Sequence, residues 1–285
     1  MSLLTNPAHR GRRNWAKEGV LQRSQNFVSP FKALYSWSKV FFMIKELFYR
    51  AMADSHRKQG LRQLRLLEQK LISNQSRFAV PFAYRGKGYF KKIEPRQNPM
   101  EIEELYRIVC ELKPERVLEI GTARGGSLYL WTQSASSNAT IVSVDLPEGQ
   151  FGGAYPACRL PFYQAFKRQK QKLYLLRKDS HQTNTVKEVI SLFNKKPIDF
   201  VFIDGDHTYE GVKADFLNYG PLVRPGGIIG FHDILPRPDL PAIQVDRFWN
   251  EIKEKYNTKE IVGPDESGRK IGIGLIHVGK SGVIT

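Results

Sequence analysis

Val117-Leu118-Glu119-Ile120-Gly121-Thr122-Ala123-Arg124-Gly125-Gly126-Ser127 is a short apolar run that carries one acid and opens into a glycine-rich turn. A parallel strand buried on both faces must be nearly all apolar. A chain leaving such a strand beside a ligand must turn sharply, so that backbone N–H groups and the next helix's N-terminus can approach it. Gly121, Gly125 and Gly126 permit that turn. Glycine-rich turns are also ordinary punctuation, so the weight falls on the next apolar run. Thr140 to Asp145 is that run, closed by an acid 24 residues after Gly121, and an acid there suits the vicinal hydroxyls of a ribose.

The pattern repeats downstream. Leu173 to Arg177 reads as a third strand followed by Asp179-Ser180, Asp199 to Ile203 as a fourth, and Gly227 to Phe231 as a fifth. Helices are predicted around 157–169, over 183–194 and after Tyr209. This alternation implies a doubly wound, mainly parallel sheet that binds ligands at the carboxyl ends of its strands. Asp145, Asp179, Asp204 and Asp233 all fall at such ends. A helix over 241–256 and a hairpin from Glu260 to Val278 then close the chain. The loop after Asp145, Leu146 to Pro156, is long and glycine-rich, as functional loops often are.

The 285 residues can bury a sizeable core, and 41% hydrophobic with 25% charged residues is globular composition. Charge is unevenly placed. Residues 1–100 hold 20 Lys+Arg against 5 Asp+Glu, leaving 24 against 23 for the remainder of a chain whose net charge is +16. A basic third of this kind suits an anionic surface or a solvated helix face. Residues 1–30 read as a disordered basic tail, and arginines 10, 12 and 13 faintly resemble a transit peptide. Residues 31–97 read as an extension of two basic amphipathic helices, with Phe78 to Gln97 as a linker or lid. The stripe Trp37, Phe41, Ile44 and Phe48 calls for an apolar cover, the chain's own domain or a twin subunit in preference to a membrane surface touched peripherally. Asn98-Pro99 with Glu101 starts a helix and sets a domain boundary near residue 97. Two cysteines, Cys110 and Cys158, imply no disulfide framework and fit a reducing, cytoplasmic compartment.

Val117 to Ser127, Val144-Asp145, Asp199 to Gly211 (DFVFIDGDHTYEG) and Leu222 to Ile234 (LVRPGGIIGFHDI) resemble the class I S-adenosylmethionine-dependent methyltransferases. The likeness is greatest to the branch of cephalosporin-hydroxylase-like proteins and metal-dependent O-methyltransferases of macrolide sugars and catechols. It covers residues 98–278 and implies a seven-stranded Rossmann-like sheet. It also implies that Glu119, Gly121 and the turn with Thr122, Gly125 and Ser127 hold the methionine portion of S-adenosylmethionine. Asp145 would take the ribose hydroxyls, and Asp179 with Ser180 the adenine edge. Asp204 and Asp233 match positions that ligate Mg²⁺ in such enzymes, with Mn²⁺ the alternative. His232 stands where they carry another acid, and imidazole suits Zn, Mn or Fe better than Mg.

His207, three residues past Asp204, matches the general base of the catechol branch. A histidine there can take a hydroxyl proton near neutral pH. The implied activity is O-methylation of a small hydroxylated acceptor, a sugar or secondary metabolite.

A Rossmann dehydrogenase would place a glycine where Ala123 stands. A hydroxylase-like oxygenase would more often use two histidines and one acid. An RNA-binding enzyme would carry an aromatic-basic signature that this chain lacks, so nucleic acid is not the expected partner.

Overall fold

The computed structural model describes residues 51–147, 149, 151, 155–168, 170–264 and 268–283. They belong to one compact unit, Tyr49–Thr285. The tail 1–30 and the stripe Trp37, Phe41, Ile44 and Phe48 lie outside the described residues.

Seven strands form one sheet: β1 Arg116–Ile120, β2 Thr140–Val144, β3 Lys172–Leu176, β4 Ile198–Ile203, β5 Val223–Phe231, β6 Asn257–Pro264 and β7 Lys270–His277, in the order β3-β2-β1-β4-β5-β7-β6. The first five are parallel, and β7 pairs antiparallel with both β5 and β6. The sheet is therefore mainly parallel and seven-stranded, as the resemblance implies. Strand order reverses between β1 and β4, and a crevice forms at such a switch point because the connections leave in opposite directions.

Helices cover both faces: α1 (residues 51–70), α2 (Asn74–Arg77), α3 (Val80–Ala83), α4 (Pro99–Leu112), α5 (Gly126–Ser134), α6 (Leu160–Tyr163), α7 (Thr183–Leu192), α8 (Tyr209–Tyr219) and α9 (Val245–Ile252). Successive strand residues point to opposite faces. Phe200 and Phe202 of β4 join the core under α1, α4 and α5, while Val201 and Ile203 join the core under α8 and α9.

The segment before α4 differs from the expected linker. Every residue of α5 is buried, and a helix buried on all sides needs a second layer outside it. Residues 64–95 supply that layer. Val80, Tyr84, Phe90 and Ile93 are fully buried, Arg77 Nη1 donates to Gln133 Oε1 at 2.5 Å, and Tyr129 Oη donates to Glu68 Oε1 at 3.2 Å. At Gly126 a Cβ would stand 2.6 Å from Pro95 Cδ, so the segment rests directly on the start of α5. Residue 97 is thus no boundary in the packing. α1 also runs through Gly60 without a break. The helix expected over 157–169 is broken into 3-10 turns around the short α6, with Pro161 at its start. Cys110 and Cys158 are free thiols. Among the described residues no helix is long and apolar enough to cross a membrane.

Candidate active site

The parallel ladder continues one residue past each strand. Gly121 N–H donates to Val144 O at 2.8 Å, Asp145 N–H to Leu176 O at 2.9 Å, Asp204 N–H to Ile120 O at 2.8 Å and His232 N–H to Ile203 O at 3.2 Å. These bonds fix four site residues at the carboxyl ends of the parallel strands. Gly121 has φ +92°, and a Cβ there would lie 2.5 Å from the Asp204 carbonyl carbon. Only a glycine lets β1 and β4 close up at the switch point. Ala123 (φ +44°) and Asp233 (φ +58°) also hold left-handed backbone, a strain that persists only where the surroundings over-determine it.

Glu119 does not face the ligand side. It is fully buried, and its two oxygens accept from Ser127 Oγ and Ser143 Oγ, each at 2.6 Å; Thr122 Oγ1 lies 2.5 Å from the same Ser143 hydroxyl. Burial pushes the carboxyl up to about 8 against the two serine hydrogen bonds. Glu119 therefore ties strand, turn and helix together from behind. Gly125, with φ +80°, is the N-cap of α5. Thr122 and Ser127 do border the narrow crevice in front of the turn, together with Arg96 and Arg124.

The Asp145 carboxylate serves the same turn. Its Oδ2 accepts from the N–H groups of Thr122 at 3.1 Å and Ala123 at 2.8 Å. Asp179 accepts from His181 N–H at 2.8 Å and Gln182 Nε2 at 3.0 Å. Burial opposes ionisation there, but these bonds win and hold the carboxyl below its ordinary range. Beside it, His181 Nε2 is 3.4 Å from the fully buried Asp215 carboxylate. Asp215 pushes the imidazole up to about 9 despite desolvation, and burial raises Asp215 as well.

The second constellation gathers Asp204, His207, His232 and Asp233. His232 Nδ1 is 3.0 Å from Asp204 Oδ1 and 3.5 Å from Asp233 Oδ2, and its Nε2 is 3.1 Å from Glu101 Oε1. His207 Nδ1 is 3.2 Å from Asp233 Oδ2, and its Nε2 is 3.8 Å from Asp204 Oδ1. Burial disfavours a charged His232, yet Asp233, Asp204 and Glu101 together raise its pKa well above the ordinary value. Burial likewise works against an ionised Asp233, but His232, His207 and Arg237 hold its carboxyl far below the ordinary range. Arg237 Nη1 reaches Asp233 Oδ1 at 3.2 Å, and Gln97 Nε2 donates to Asp204 Oδ2 at 2.6 Å.

Both constellations open onto one cavity of about 1180 Å³. Gly121, Asp145, Asp179 and Ser180 line it together with Asp204, His207, His232 and Asp233. Small-molecule sites usually span about 300–1,000 Å³, so this cavity is large for a single small ligand.

Comparison with known proteins addresses the same stretch. A family model described as "Methyltransferase domain" matches residues 118–234, the span from β1 to just past His232 and Asp233. Residues 118–234 are a methyltransferase domain. The described sheet extends this domain at both ends, through α4 before it and the β6–β7 hairpin after it. An uncharacterized protein of Sinorhizobium fredii, y4gI, is 29% identical over 150 residues, which are 51% of this chain; the chain spans about a sixth (16%) of that protein's length. Among solved structures, an O-methyltransferase from Bacillus cereus in complex with SAH is 18% identical with TM-score 0.44, over 61% of this chain and 79% of that one. The O-methyltransferase TomG from Streptomyces achromogenes, in complex with SAM, gives 18% and 0.44 over 62% and 78%.

Two residues that sequence reasoning does not find, Gln97 and Glu101, also stand at the site. Glu101 shows in the sequence as a helix-start acid, and nothing in its spacing ties it to a histidine 131 positions later. The His181–Asp215 pair is likewise hidden, because the two residues meet only through packing of α8 beneath the loop after β3.

Proposed function

We propose that the methyltransferase domain transfers a methyl group from S-adenosylmethionine to a hydroxyl of a small molecule, with a divalent metal held by Asp204, His232 and Asp233. The observation that carries this reading is the single cavity at the β1–β4 switch point, where the glycine turn and the Asp-His cluster converge. The turn at Gly121 to Ser127 receives the methionine portion, Asp145 the ribose, and Asp179 with Ser180 the adenine edge. Small hydroxylated molecules, sugars and secondary metabolites among them, are the acceptor class.

The donor set fits a metal. Asp204, His232 and Asp233 each offer one ligand atom, and these atoms lie within 4.8 Å of one another. Carboxylates brought so close repel unless a cation or proton stands between them. A divalent ion held by these three residues would supply Lewis-acid stabilisation of an ionising acceptor hydroxyl. His207, with Nδ1 directed at Asp233, presents Nε2 to take the hydroxyl proton. The acceptor oxygen then forms a bond to the methyl carbon as the carbon–sulfur bond breaks, the sulfonium keeps that electron pair, and S-adenosylhomocysteine leaves. The chain's main contribution is alignment, since two substrates held in line gain most of the rate available from proximity.

The test is transfer of labelled methyl from S-adenosylmethionine to a panel of catechols, sugars and hydroxylated aromatics, with and without EDTA. Label in an O-methyl product, lost in His207→Gln, is the expected result. Absence of transfer to any hydroxyl by protein that binds the cofactor would reject the O-methyl assignment.

A further inference from the structure

We infer that Glu101 is a positioning residue for the metal centre. By holding His232 with Nδ1 toward the two aspartates, it makes the centre a nitrogen-containing one that prefers Mn²⁺ to Mg²⁺. This rests on the metal part of the function proposed for the site.

Glu101 is held firmly. It is the third residue of α4 and fully buried, and its Oε1 accepts the Asn98 N–H at 2.8 Å, closing a capping box with the Asn98 side chain. The backbone at the helix start therefore fixes the carboxylate, and Asn98 is itself tied to Pro264 O on β6. The same oxygen lies 3.1 Å from His232 Nε2. Among the described residues His232 is the only charged partner of Glu101 in an ion pair. Burying a carboxylate is costly unless something nearby uses its charge. A helix cap alone does not require this, because glutamine serves a capping box equally well.

A carboxylate oxygen only accepts, so Nε2 carries a hydrogen toward Glu101, and without a metal Nδ1 carries a second one toward Asp204, which a cation bound at Nδ1 would displace. That leaves Nδ1 as the atom facing Asp204 Oδ1 at 3.0 Å and Asp233 Oδ2 at 3.5 Å. Carboxylate behind histidine, histidine behind metal, is the arrangement that fixes ring tautomer and orientation in metal sites. One imidazole nitrogen with two carboxylates also shifts the preference. Mg²⁺ favours oxygen ligands, whereas Mn²⁺ accepts imidazole readily.

The test uses the full chain. Mn²⁺ is titrated while its free EPR signal is followed, and the bound ion is read by spin-echo modulation, which detects a directly coordinated ¹⁴N. Wild type should bind one Mn²⁺ with ¹⁴N coupling, and Mg²⁺ should displace it only in large excess. His232→Asp should keep Mn²⁺, lose the coupling and narrow the preference over Mg²⁺. His207→Gln should keep the coupling.

Glu101→Leu should weaken Mn²⁺ binding about tenfold to a hundredfold. Glu101→Gln, whose amide oxygen can still accept from Nε2, should restore binding, and urea unfolding would confirm that both variants are folded. Mn²⁺ bound without ¹⁴N coupling, coupling that vanishes with His207 instead of His232, or a folded Glu101→Leu with wild-type affinity would overturn the inference. Absence of Mn²⁺ binding in protein that still binds S-adenosylmethionine would overturn it together with the metal, and would leave the methyl-transfer reading standing.

Discussion

Replacing Asp145 separates two jobs that one carboxylate performs. Its Oδ2 accepts from the N–H groups of Thr122 and Ala123, so Asp145→Ala strands two backbone donors in the glycine turn. A hydrogen bond to a charged group is worth about 1.5–3 kcal/mol. Thr122 is 1% exposed and loses that in full, while Ala123 is partly exposed and regains some from water. The expected loss of stability is about 2–4 kcal/mol, read as a lower urea midpoint at an unchanged slope. Asp145→Asn keeps one acceptor oxygen for the turn and should lose only about 1 kcal/mol. For the ribose the two variants should behave alike, because an amide cannot accept from two hydroxyls as a carboxylate can. Both should weaken S-adenosylmethionine about tenfold to a hundredfold by calorimetry. An Asp145→Ala variant that unfolds at the wild-type midpoint, or an Asp145→Asn variant that binds the cofactor at full affinity, would refute these two roles for Asp145.

In Gly121→Val the Cβ would meet the Asp204 carbonyl, so the variant should lose stability as well as cofactor binding; a wild-type unfolding midpoint would contradict this. The His181–Asp215 pair keeps its proton to about 9 when folded, against about 6.5 for an unfolded histidine. Its stabilisation is therefore complete below about 6.5 and is lost as pH rises through about 9, and His181→Gln should flatten that part of a stability–pH curve. Glu119 titrates near 8 when folded, so stability also falls between about 4.5 and 8; Glu119→Gln should overtake wild type by a few kcal/mol above that range, and a weaker variant at pH 9 would count against it. If Asp204 and Asp233 share one ion, each alanine variant should lose metal-dependent turnover and the double variant should be little worse, whereas additive losses would indicate separate roles.

The strands are legible in the sequence because a parallel strand buried on both faces leaves an apolar run, and β1, β2 and β4 are such runs. The aspartates at their ends are legible for the same reason, since the run stops where the ligand side begins. Residues 78–97 mislead because Pro81, Gly86, Gly88 and Pro95 look like loop punctuation. Their burial comes from a long-range fact, the all-round covering of α5, which no local period records. Glu119 misleads in a similar way: an acid at a strand end suggests a ligand, but Ser127 and Ser143 consume both oxygens. His232 is visible as an odd residue among acids, whereas the acid that supports it arrives from α4, before the matched domain.

The most direct test of the account is a calorimetric titration of the full chain with S-adenosylmethionine, run in Mn²⁺ and again in EDTA. The geometry predicts one binding site per chain in both conditions, because none of the residues proposed to hold the cofactor is among Asp204, His232 and Asp233, the three that offer metal ligands. Gly121→Val and Asp145→Ala should each weaken it. No heat of binding from folded wild-type protein, or binding of NAD in its place, would contradict the central claim.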